Sequence, residues 1–406
     1  MNSLVILAPN WLGDAVMALP AIADVRRAAP AASISVAARA SVAPLFALVP
    51  EVDDTLVLGE DEVGALASRR FDTALLLPNS TRAAIATRRA GVPERWGYRT
   101  GWRGSLLTRA VPAPRRGHQI EYYRHLVRAL GFANGPADPR VTVSTEARDA
   151  GRSLLTESGW DGGTPLVALA PGAAYGGAKR WPAAYFAELA ADLAADGVQC
   201  VMVGTAADAG TAADVLRLGP PKRVAREGRS PEGLRHGERA RHGERARPGE
   251  RNVAQGFGPS NVAQGLGPSN VAQGFGPANV AQGFSPANVA QGFSPAILDL
   301  VGRTDLPALA GVFANCRALV TNDSGAMHLA AAIGISVTAM FGPTNEQATS
   351  PRIADLRPSQ APPSPVTILT HAAWCRPCML RECPLDHRCM RGIDVATVLE
   401  AARSGL

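Results

Sequence analysis

The stretch VILAPNWLGDAVMALPAIADVRR, residues 5–27, decides how the beginning of this chain folds. An apolar run typical of a buried strand ends at Pro9, and a helical pattern of apolar residues begins near Asp14. The turn between them, NWLG, has a single glycine, whereas a turn that cradles a phosphate carries several. The chain instead places a carboxylate at the start of the helix. We therefore predict a strand–turn–helix unit whose turn serves a purpose other than phosphate binding.

The same alternation of strand and helix continues through most of the chain. Strand-like apolar runs lie at residues 4–8, 33–38, 55–58, 72–77, 165–171, 198–204, 298–302, 318–322 and 336–342. Helix-like stretches separate them at residues 14–29, 80–90, 118–131, 182–196, 208–217, 307–316 and 325–333. Continuous apolar strands that alternate with helices predict parallel sheets covered by helices on both faces.

The runs form two series, and the gap between the series, near 145–163, predicts a domain boundary. The predicted fold is therefore α/β, with two Rossmann-like doubly wound domains that face a cleft. The first domain is expected to span residues 1–150, and the second to span residues 163–218 and 297–357. In such folds ligands bind at the carboxyl ends of the strands, and with two domains they bind in the cleft.

Residues 219–296 interrupt the second series with low-complexity sequence. HGERAR occurs twice in succession, and five nonapeptides follow, from NVAQGFGPS at 252–260 to NVAQGFSPA at 288–296. A nine-residue repeat suggests a β-helix, but the proline in every copy removes one ladder donor each time. Glutamates interspersed among the basic residues argue against an arm that binds nucleic acid. We therefore predict a disordered insertion and no nucleic-acid partner.

Composition and charge favour a cytoplasmic protein in which two basic segments, residues 82–128 and 222–251, interrupt an otherwise acidic chain. No run of about 18 uninterrupted apolar residues is present, so we expect no membrane-spanning helix. The first residues lack the basic and apolar regions of a secretory signal. The formal net charge is +6, and eleven arginines but only two glutamates lie between Arg82 and Arg128.

Two further loops stand at predicted strand ends in the second domain, and the first of them is PGAAYGGAKRWP, residues 171–182. Its glycines, beginning with Gly172, permit close approach of an anion, and Lys179 with Arg180 would neutralise a diphosphate. The spacing differs from that of a P-loop, so ATP hydrolysis is not expected. The pattern favours an anion site, and the alternative is a surface loop with two solvated bases.

The second of these loops is TNDSGAMH, residues 321–328. Asp323 or Ser324 can cap the following helix, and Gly325 permits close approach of a ligand. The helix N-terminus then offers N–H groups and a partial positive charge to phosphate. His328 lies four residues after Ser324, one helical turn further on, so the two side chains are expected to lie on the same face of the helix. The alternative is an ordinary helix cap beside a histidine whose hydrogen bonds are satisfied within the protein.

The last part of the chain, residues 358–406, is a tail that contains CRPCMLRECPLDHRC at 375–389. A CxxC pair followed by two further cysteines is typical of structural zinc sites, with Cys375, Cys378, Cys383 and Cys389 as the candidate ligands. Reduced structural thiols are the favoured interpretation, and disulfides are unexpected in a cytoplasmic protein. A final helix near 394–403 is expected to pack back across the domains.

Taken together, PNWLGDAVMALPAI, PGAAYGGAKRWPAAYFAELA, LVGRTDL and LVTNDSGAMHLAAAIG resemble the bacterial ADP-heptose:lipopolysaccharide heptosyltransferases, most closely the heptosyltransferase II group. The resemblance covers nearly the whole chain except 219–296. It implies a GT-B glycosyltransferase whose first domain binds the acceptor and whose second domain binds the ADP-sugar. It also implies an inverting transfer of L-glycero-D-manno-heptose from ADP-heptose to the heptose–Kdo₂–lipid A inner core, with no required cofactor or catalytic metal.

By this resemblance Asp14 is the general base that removes the proton of the acceptor hydroxyl; the alternative is a helix N-cap. An aspartate is ionised at pH 7, and desolvation strengthens it as a base. The resemblance places the anionic acceptor, at the inner face of the inner membrane, on Asn10, Trp11, Gly13, Arg82 and Arg99. It places the ADP-sugar on Gly172, Lys179, Arg180, Asp208, Asp323, Ser324, Gly325 and His328. Asp208 is the one acidic residue left where the family has several that can meet the ribose.

Three alternatives remain open at this point. A related member with another donor or acceptor, such as heptosyltransferase I, fits the same motifs, since contacts to base and sugar cannot be read from them. A non-catalytic sugar-nucleotide-binding protein is disfavoured by the presence of Asp14, Lys179 and Asp323. A zinc-dependent redox protein built around the tail would require stoichiometric metal. The oligomeric state is not readable from the sequence.

Overall fold

The computed structural model describes residues 1–218, 297–352 and 366–406. The repeats at 219–296, for which we predict disorder, lie outside the described residues. Within the described ranges, no helix is both long and apolar enough to cross a membrane.

Two parallel six-stranded sheets organise the described chain. The first sheet is formed by Ser3–Leu7 (β1), Ser33–Arg39 (β2), Asp54–Leu58 (β3), Thr73–Leu76 (β4), Glu94–Tyr98 (β5) and Arg109–Val111 (β6), in the order β3-β2-β1-β4-β5-β6. The second sheet is formed by Leu166–Ala170 (β7), Gln199–Met202 (β8), Ile297–Asp299 (β9), Ala318–Asn322 (β10), Ser336–Phe341 (β11) and Val366–Thr370 (β12), in the order β12-β11-β10-β7-β8-β9.

Counted from its own first strand, each sheet has the same strand order. In each, the direction of winding reverses between the first and the fourth strand, at β1/β4 and at β7/β10. Doubly wound folds bind their ligands at this switch point, at the carboxyl ends of the strands. The predicted α/β fold with two Rossmann-like domains is confirmed.

Helices connect the strands and cover both faces of the sheets. In chain order they are Leu12–Ala28 (α1), Glu62–Ala67 (α2), Thr81–Arg89 (α3), Gln119–Ala129 (α4), Thr145–Glu157 (α5), Ala183–Ala195 (α6), Ala209–Leu218 (α7), Leu306–Phe313 (α8), Gly325–Ile333 (α9), Glu346–Thr349 (α10), Arg388–Arg391 (α11) and Val395–Arg403 (α12). The strand β1 is buried along almost its whole length, as its continuous apolar run predicts. The two halves share one continuous apolar core, and α1 of the first half packs against α9 of the second.

The helix α5 lies across the predicted domain boundary. The hydroxyl of Ser144 caps it by accepting a hydrogen bond from the N–H of Ala147 at 3.2 Å. The helix packs against α8, and at their crossing Gly151 and Gly311 face each other with no room for a Cβ atom at either position. Residues 145–150, expected in the first domain, therefore pack against a helix of the second.

The final helix, α12, also differs from the expectation that it packs back across the domains. Its buried side chains, Val398 and Leu399 among them, share one apolar cluster with Trp181 and Phe186. Its contacts are with α6 and with the strands β10 and β11, all in the second half. The helix therefore covers the second sheet, because its apolar face matches the surface that α6 leaves open there.

Candidate active site

Asp14 lies in the first turn of α1, directly after the carboxyl end of β1. The N-cap position of this helix is Trp11, which makes no side-chain cap, so the N-cap alternative for Asp14 does not hold. Burial raises the pKa of Asp14, and the positive charge of Lys179 partly opposes this rise. Among the described residues, no salt bridge involves the Asp14 carboxylate. The side chain is thus a half-buried carboxylate without a compensating partner.

The turns after β1 and β10 touch each other across the cleft. A Cβ atom at Gly13 would lie 2.9 Å from Cδ2 of His328, and one at Gly325 would lie 2.9 Å from Cβ of Leu12. Glycine is therefore needed at both positions by the contact between the helices α1 and α9. We predicted Gly13 for the acceptor and Gly325 with His328 for the nucleotide sugar, and the structure brings the three residues together.

His328 is almost completely buried at this contact. Burial lowers its pKa to about 4, although the nearby carboxylate of Asp323 acts in the opposite direction. The imidazole is therefore neutral at pH 7. Its burial is common to both interpretations offered by the sequence, so the assignment of His328 to the nucleotide sugar stays a prediction.

Asp323 is held by two donors. Nζ of Lys179 donates to Oδ2 of Asp323 at 2.6 Å, and the hydroxyl of Thr344 donates to the same oxygen at 2.5 Å. The side chains of Lys179 and Asp323 are only 12% and 8% exposed. Nζ of Lys179 also lies 4.8 Å from the centre of the Tyr175 ring. This lysine therefore lies in a fixed position at the mouth of the second sheet.

The prediction that Asp323 or Ser324 caps the helix α9 is wrong. Ser324 occupies the N-cap position but makes no side-chain cap, and its hydroxyl lies 3.0 Å from the hydroxyl of Thr321. Asp323 is turned away toward Lys179, because a charged partner binds a carboxylate more strongly than backbone N–H groups do. The first N–H groups of α9 consequently have no side-chain cap and can bind an anionic group.

Asn322 organises the loop 171–182, although sequence reasoning did not select it. Its Oδ1 accepts from the N–H of Trp181 at 2.9 Å, and its Nδ2 donates to the carbonyl of Pro171 at 2.7 Å and to that of Gly172 at 3.2 Å. One fully buried amide thus holds both ends of the loop. A polar residue at the end of a buried strand was the only sequence signal for this role.

The other residues predicted for the second domain differ in their surroundings. Asp208 is buried and accepts hydrogen bonds from the N–H and the hydroxyl of Thr205, each at 2.9 Å. A Cβ atom at Gly172 would overlap this carboxylate, so the glycine makes room for Asp208. Arg180 is exposed and forms no salt bridge within the described part of the chain. Arg180 is therefore the cation of this loop that is open to a ligand.

The cysteine-rich tail holds the same loop from outside. The carbonyl of Arg381 accepts from the N–H of Ala178 at 2.9 Å, and the Glu382 carboxylate accepts from the N–H of Gly177 at 3.0 Å. The Tyr175 hydroxyl donates to the carbonyl of Met379 at 2.9 Å. No local pattern could have predicted these contacts, because the partners lie about 200 positions apart in the chain.

The cysteines of the tail are unpaired thiols. Cys389 is buried, and Cys375, Cys378 and Cys383 are half-buried. Burial, followed by the neighbouring thiols, raises the pKa of Cys389. Among the residues that the structure describes, no group of three or more His, Cys, Asp or Glu side chains is placed to hold a metal ion. The geometry therefore gives no support to the zinc alternative.

The residues predicted for the acceptor lie at the carboxyl edge of the first sheet. Asn10 and Trp11 follow β1, and the indole of Trp11 is 56% exposed. Arg82 lies in the first turn of α3, which follows β4, and forms a salt bridge of 3.2 Å with Glu62. Arg99 directly follows β5 and is exposed. With Asp14 these residues line one edge, as a shared binding surface requires.

Comparison with known proteins agrees with this fold. The model of the family described as Glycosyltransferase family 9 (heptosyltransferase) matches residues 63–220 and 285–388, more than half of the chain. The chain therefore belongs to glycosyltransferase family 9, the heptosyltransferase family, and is a glycosyltransferase.

Similar proteins and structures extend over most of the chain. Lipopolysaccharide heptosyltransferase 2 of Salmonella typhimurium is 26% identical over 86% of this chain and 85% of its own length. Lipooligosaccharide heptosyltransferase 2 of Haemophilus influenzae is 24% identical over 86% of each chain. The structure of the E. coli ADP-heptose lps heptosyltransferase II matches with a TM-score of 0.70 at 24% identity, covering 100% of this chain and 98% of that one. This match confirms the two-domain fold.

Proposed function

We propose that the protein transfers heptose from ADP-heptose to the heptose–Kdo₂–lipid A inner core of lipopolysaccharide, at the inner face of the inner membrane. The observation that carries this proposal is the position of Asp14. Its carboxylate is desolvated, has no salt-bridge partner among the described residues, and lies close enough to Lys179 for the two charges to interact. A proton acceptor thus stands beside the cationic loop of the second domain.

The proposed reaction is a single displacement. Asp14 takes the proton of the acceptor hydroxyl, and the hydroxyl oxygen forms a bond to C1 of the heptose. The bond between C1 and the diphosphate oxygen breaks on the opposite face, which inverts the configuration, and ADP leaves with the bonding electrons. The step conserves protons and charge. The proton of the acceptor hydroxyl ends on Asp14, and the negative charge that Asp14 loses appears on the departing ADP.

In the proposed reaction, two groups stabilise the departing diphosphate. The uncapped N–H groups at the start of α9 offer hydrogen bonds to its oxygens, and Arg180 offers an exposed guanidinium. Lys179 is already paired with Asp323, so it adds less positive charge than a free lysine would. Its fixed position keeps the loop, and with it Arg180, in one conformation.

The acceptor side of the proposal rests on the basic edge of the first sheet. The inner core carries phosphates and carboxylates, which arginine binds with two parallel hydrogen bonds. Arg99 is exposed there, and Arg82 shares the carboxylate of Glu62 with Arg39. An anionic acceptor would compete with Glu62 for both guanidinium groups.

A transfer assay with purified protein tests the proposal. The acceptor is heptose–Kdo₂–lipid A, and the donors are a panel of ADP-, UDP- and GDP-sugars. We expect turnover with ADP-heptose, reduced about 10²- to 10⁴-fold in Asp14→Ala, with ADP binding unchanged by calorimetry. Asp138→Ala, an aspartate of the first domain outside the site, is the matched control and should retain activity.

The other outcomes are separable. Equal turnover in Asp14→Ala and wild type would remove Asp14 from the mechanism. Turnover with a different donor alone would keep the mechanism and reassign the sugar or the nucleotide. ADP binding without transfer from any donor would favour a non-catalytic sugar-nucleotide-binding protein.

A further inference from the structure

Trp102 is the most exposed large hydrophobic residue of the described chain, with 94% of its surface accessible. It lies in the loop that follows β5, at the start of a short 3₁₀ turn over Arg103–Leu106. Exposing an indole to water has a free-energy cost that burial would remove. A tryptophan in this position therefore calls for an explanation from function.

The loop presents this indole from a fixed base. The next residue, Arg103, is fully buried and donates hydrogen bonds to the carbonyl of Tyr98 at 2.8 Å and to that of Pro78. The preceding residue, Gly101, has φ +52°, a conformation that favours glycine. Because Arg103 ties the turn to the sheet beneath it, Trp102 points outward as part of an ordered structure.

The sequence around Trp102 is positively charged throughout. Residues 95–120 contain six arginines and neither an aspartate nor a glutamate. Three of the arginines are structural: Arg103 is buried, and the other two donate to backbone carbonyls, Arg95 to Leu106 at 2.8 Å and Arg109 to Leu130 at 2.9 Å.

The remaining three arginines, Arg99, Arg115 and Arg116, are exposed, and no salt bridge of the described residues includes them. Arg99 follows β5, and the other two follow β6, the next strand of the sheet. Since the carboxyl ends of parallel strands meet at one edge, these guanidinium groups lie on the same edge as Trp102. The exposed indole of Trp102 is therefore flanked by three guanidinium groups that form no salt bridge with the described residues.

We propose that the loops 99–104 and 112–118, here called the Trp102 face, dock the protein on an anionic lipid bilayer. Indole rings prefer the headgroup region of a membrane, where one end is apolar and the other hydrated. Exposed arginines next to the ring bind lipid phosphates and are attracted by the negative surface potential. A protein partner would need a packed apolar patch, and the Trp102 face offers one indole among arginines.

The inference deepens the proposed function, because the Trp102 face and Asp14 lie at the same edge of the first sheet. Docking through this face directs the acceptor-binding edge toward the lipid surface. A lipid-linked acceptor would then reach Asp14 without leaving the membrane.

Sedimentation with vesicles tests the inference, using the full chain and vesicles of phosphatidylcholine with about one-third phosphatidylglycerol and no acceptor. We expect the wild type to bind, and to bind less as the salt concentration rises. Trp102→Ser should weaken binding about tenfold, and Arg115→Ser/Arg116→Ser should weaken it about fivefold for each arginine removed.

Two matched variants control for nonspecific effects. Trp374→Ser removes an indole that is 78% exposed in the second half, and Arg88→Ser/Arg89→Ser removes an exposed pair at the far end of α3, on the opposite edge of the first sheet. Both should bind vesicles as the wild type does. Circular dichroism confirms that each variant is folded.

Three results would overturn the inference: no binding of the wild type, equal weakening by the control variants, or binding only when the vesicles contain the lipid-linked acceptor. The last result would assign Trp102 to the acceptor. The main series of vesicles contains no acceptor, so binding is measured independently of transfer, and a parallel series with the lipid-linked acceptor added tests the third result. Transfer to detergent-dispersed acceptor, in turn, tests the proposed function without a bilayer.

Discussion

The two sheets have the same strand order, and the loops after their first strands, residues 9–14 and 171–182, occupy corresponding positions. In the first sheet the chain passes directly into a helix and places Asp14 there without a salt-bridge partner among the described residues. In the second sheet a longer loop provides Lys179, bound to Asp323, and the exposed Arg180. The same position of the fold thus holds a desolvated carboxylate in one half, for which we propose the role of proton acceptor, and a cationic loop in the other, for which we propose anion binding.

Asp14 and Asp323 show what makes this difference. Asp323 receives hydrogen bonds from Lys179 and Thr344, so its negative charge is compensated and it serves to hold the loop. Asp14 loses solvent, no residue of the described ranges donates a hydrogen bond to its carboxylate, and burial raises its pKa. A carboxylate becomes a useful base when it is desolvated and left uncompensated.

Removing the positive charge of Lys179 should have the largest effect on stability. In Lys179→Met the Asp323 carboxylate stays nearly buried with only the Thr344 hydroxyl as donor. Breaking a buried ion pair in this way costs about 3–5 kcal/mol. We expect the free energy of unfolding, measured with denaturant, to fall by this amount, and ADP binding, measured by calorimetry, to weaken.

The double variant Lys179→Met/Asp323→Asn separates the two consequences. It leaves no buried charge, so most of the stability should return while ADP binding stays weak. A double variant as unstable as the single one would show that Lys179 does not compensate Asp323.

Sequence patterns predicted most of the fold, because its strands are continuous apolar runs and its helices begin directly after them. The strands β5, β6 and β12 were missed. ERWGY contains two charged residues, and β6 spans only Arg109–Val111, which is too short for a periodic signal. The strand β12 lies in the segment that we assigned to a tail, but it pairs with β11 and so belongs to the second sheet. The helix α5 was missed because it fills a segment interpreted as a domain boundary.

The site shows a sharper limit of sequence reasoning. The motifs identified which loops meet at the cleft, since each loop follows a strand. They could not predict which partner a side chain selects. Asp323 looks like a helix cap, but a lysine 144 positions earlier binds it instead. The pairing of Asp208 with Thr205 was readable from the T-x-x-D spacing of a capping box.

A second prediction concerns the contact between the two turns. In Gly13→Ala the new Cβ would lie 2.9 Å from Cδ2 of His328, closer than the packed helices α1 and α9 allow. We expect the free energy of unfolding to fall by about 1–3 kcal/mol, because the two turns must move apart. Transfer should slow as well, since Asp14 moves away from Lys179. Thermal unfolding and the transfer assay measure the two effects.

Gly210→Ala is the matched control for this substitution. A Cβ atom at Gly210, within α7, meets no atom within 4 Å, so alanine should be neutral or slightly stabilising there. In Gly13→Ala/His328→Ala the ring that the new Cβ would meet is removed, so adding Gly13→Ala to His328→Ala should slow transfer less than adding it to the wild type does. Identical behaviour of Gly13→Ala and Gly210→Ala would mean that the turns do not need to touch.

The smallest expected effect is on the pH dependence of stability, and it concerns Asp14 itself. Because burial raises the pKa of Asp14, the folded protein holds this proton more tightly than the unfolded chain does. The folded protein therefore loses stability relative to the unfolded chain as Asp14 ionises. This loss begins as the pH rises past the ordinary pKa of about 4 and is complete above the raised pKa. Asp14→Asn removes this loss, so the inactive variant should unfold at a slightly higher temperature than wild type at pH 7. The difference should vanish near pH 3.

Asp53 provides the control with the opposite sign. A hydrogen bond from the N–H of Ile34, at 2.8 Å, and the Arg26 guanidinium lower the pKa of Asp53. Its ionised form therefore stabilises the fold above the ordinary pKa, and this contribution is lost as pH falls through the lowered one. Asp53→Asn should accordingly be less stable than wild type at pH 7. If Asp14→Asn behaved in the same way as Asp53→Asn, Asp14 would have a compensating partner in the folded protein, and its contrast with Asp323 would fail.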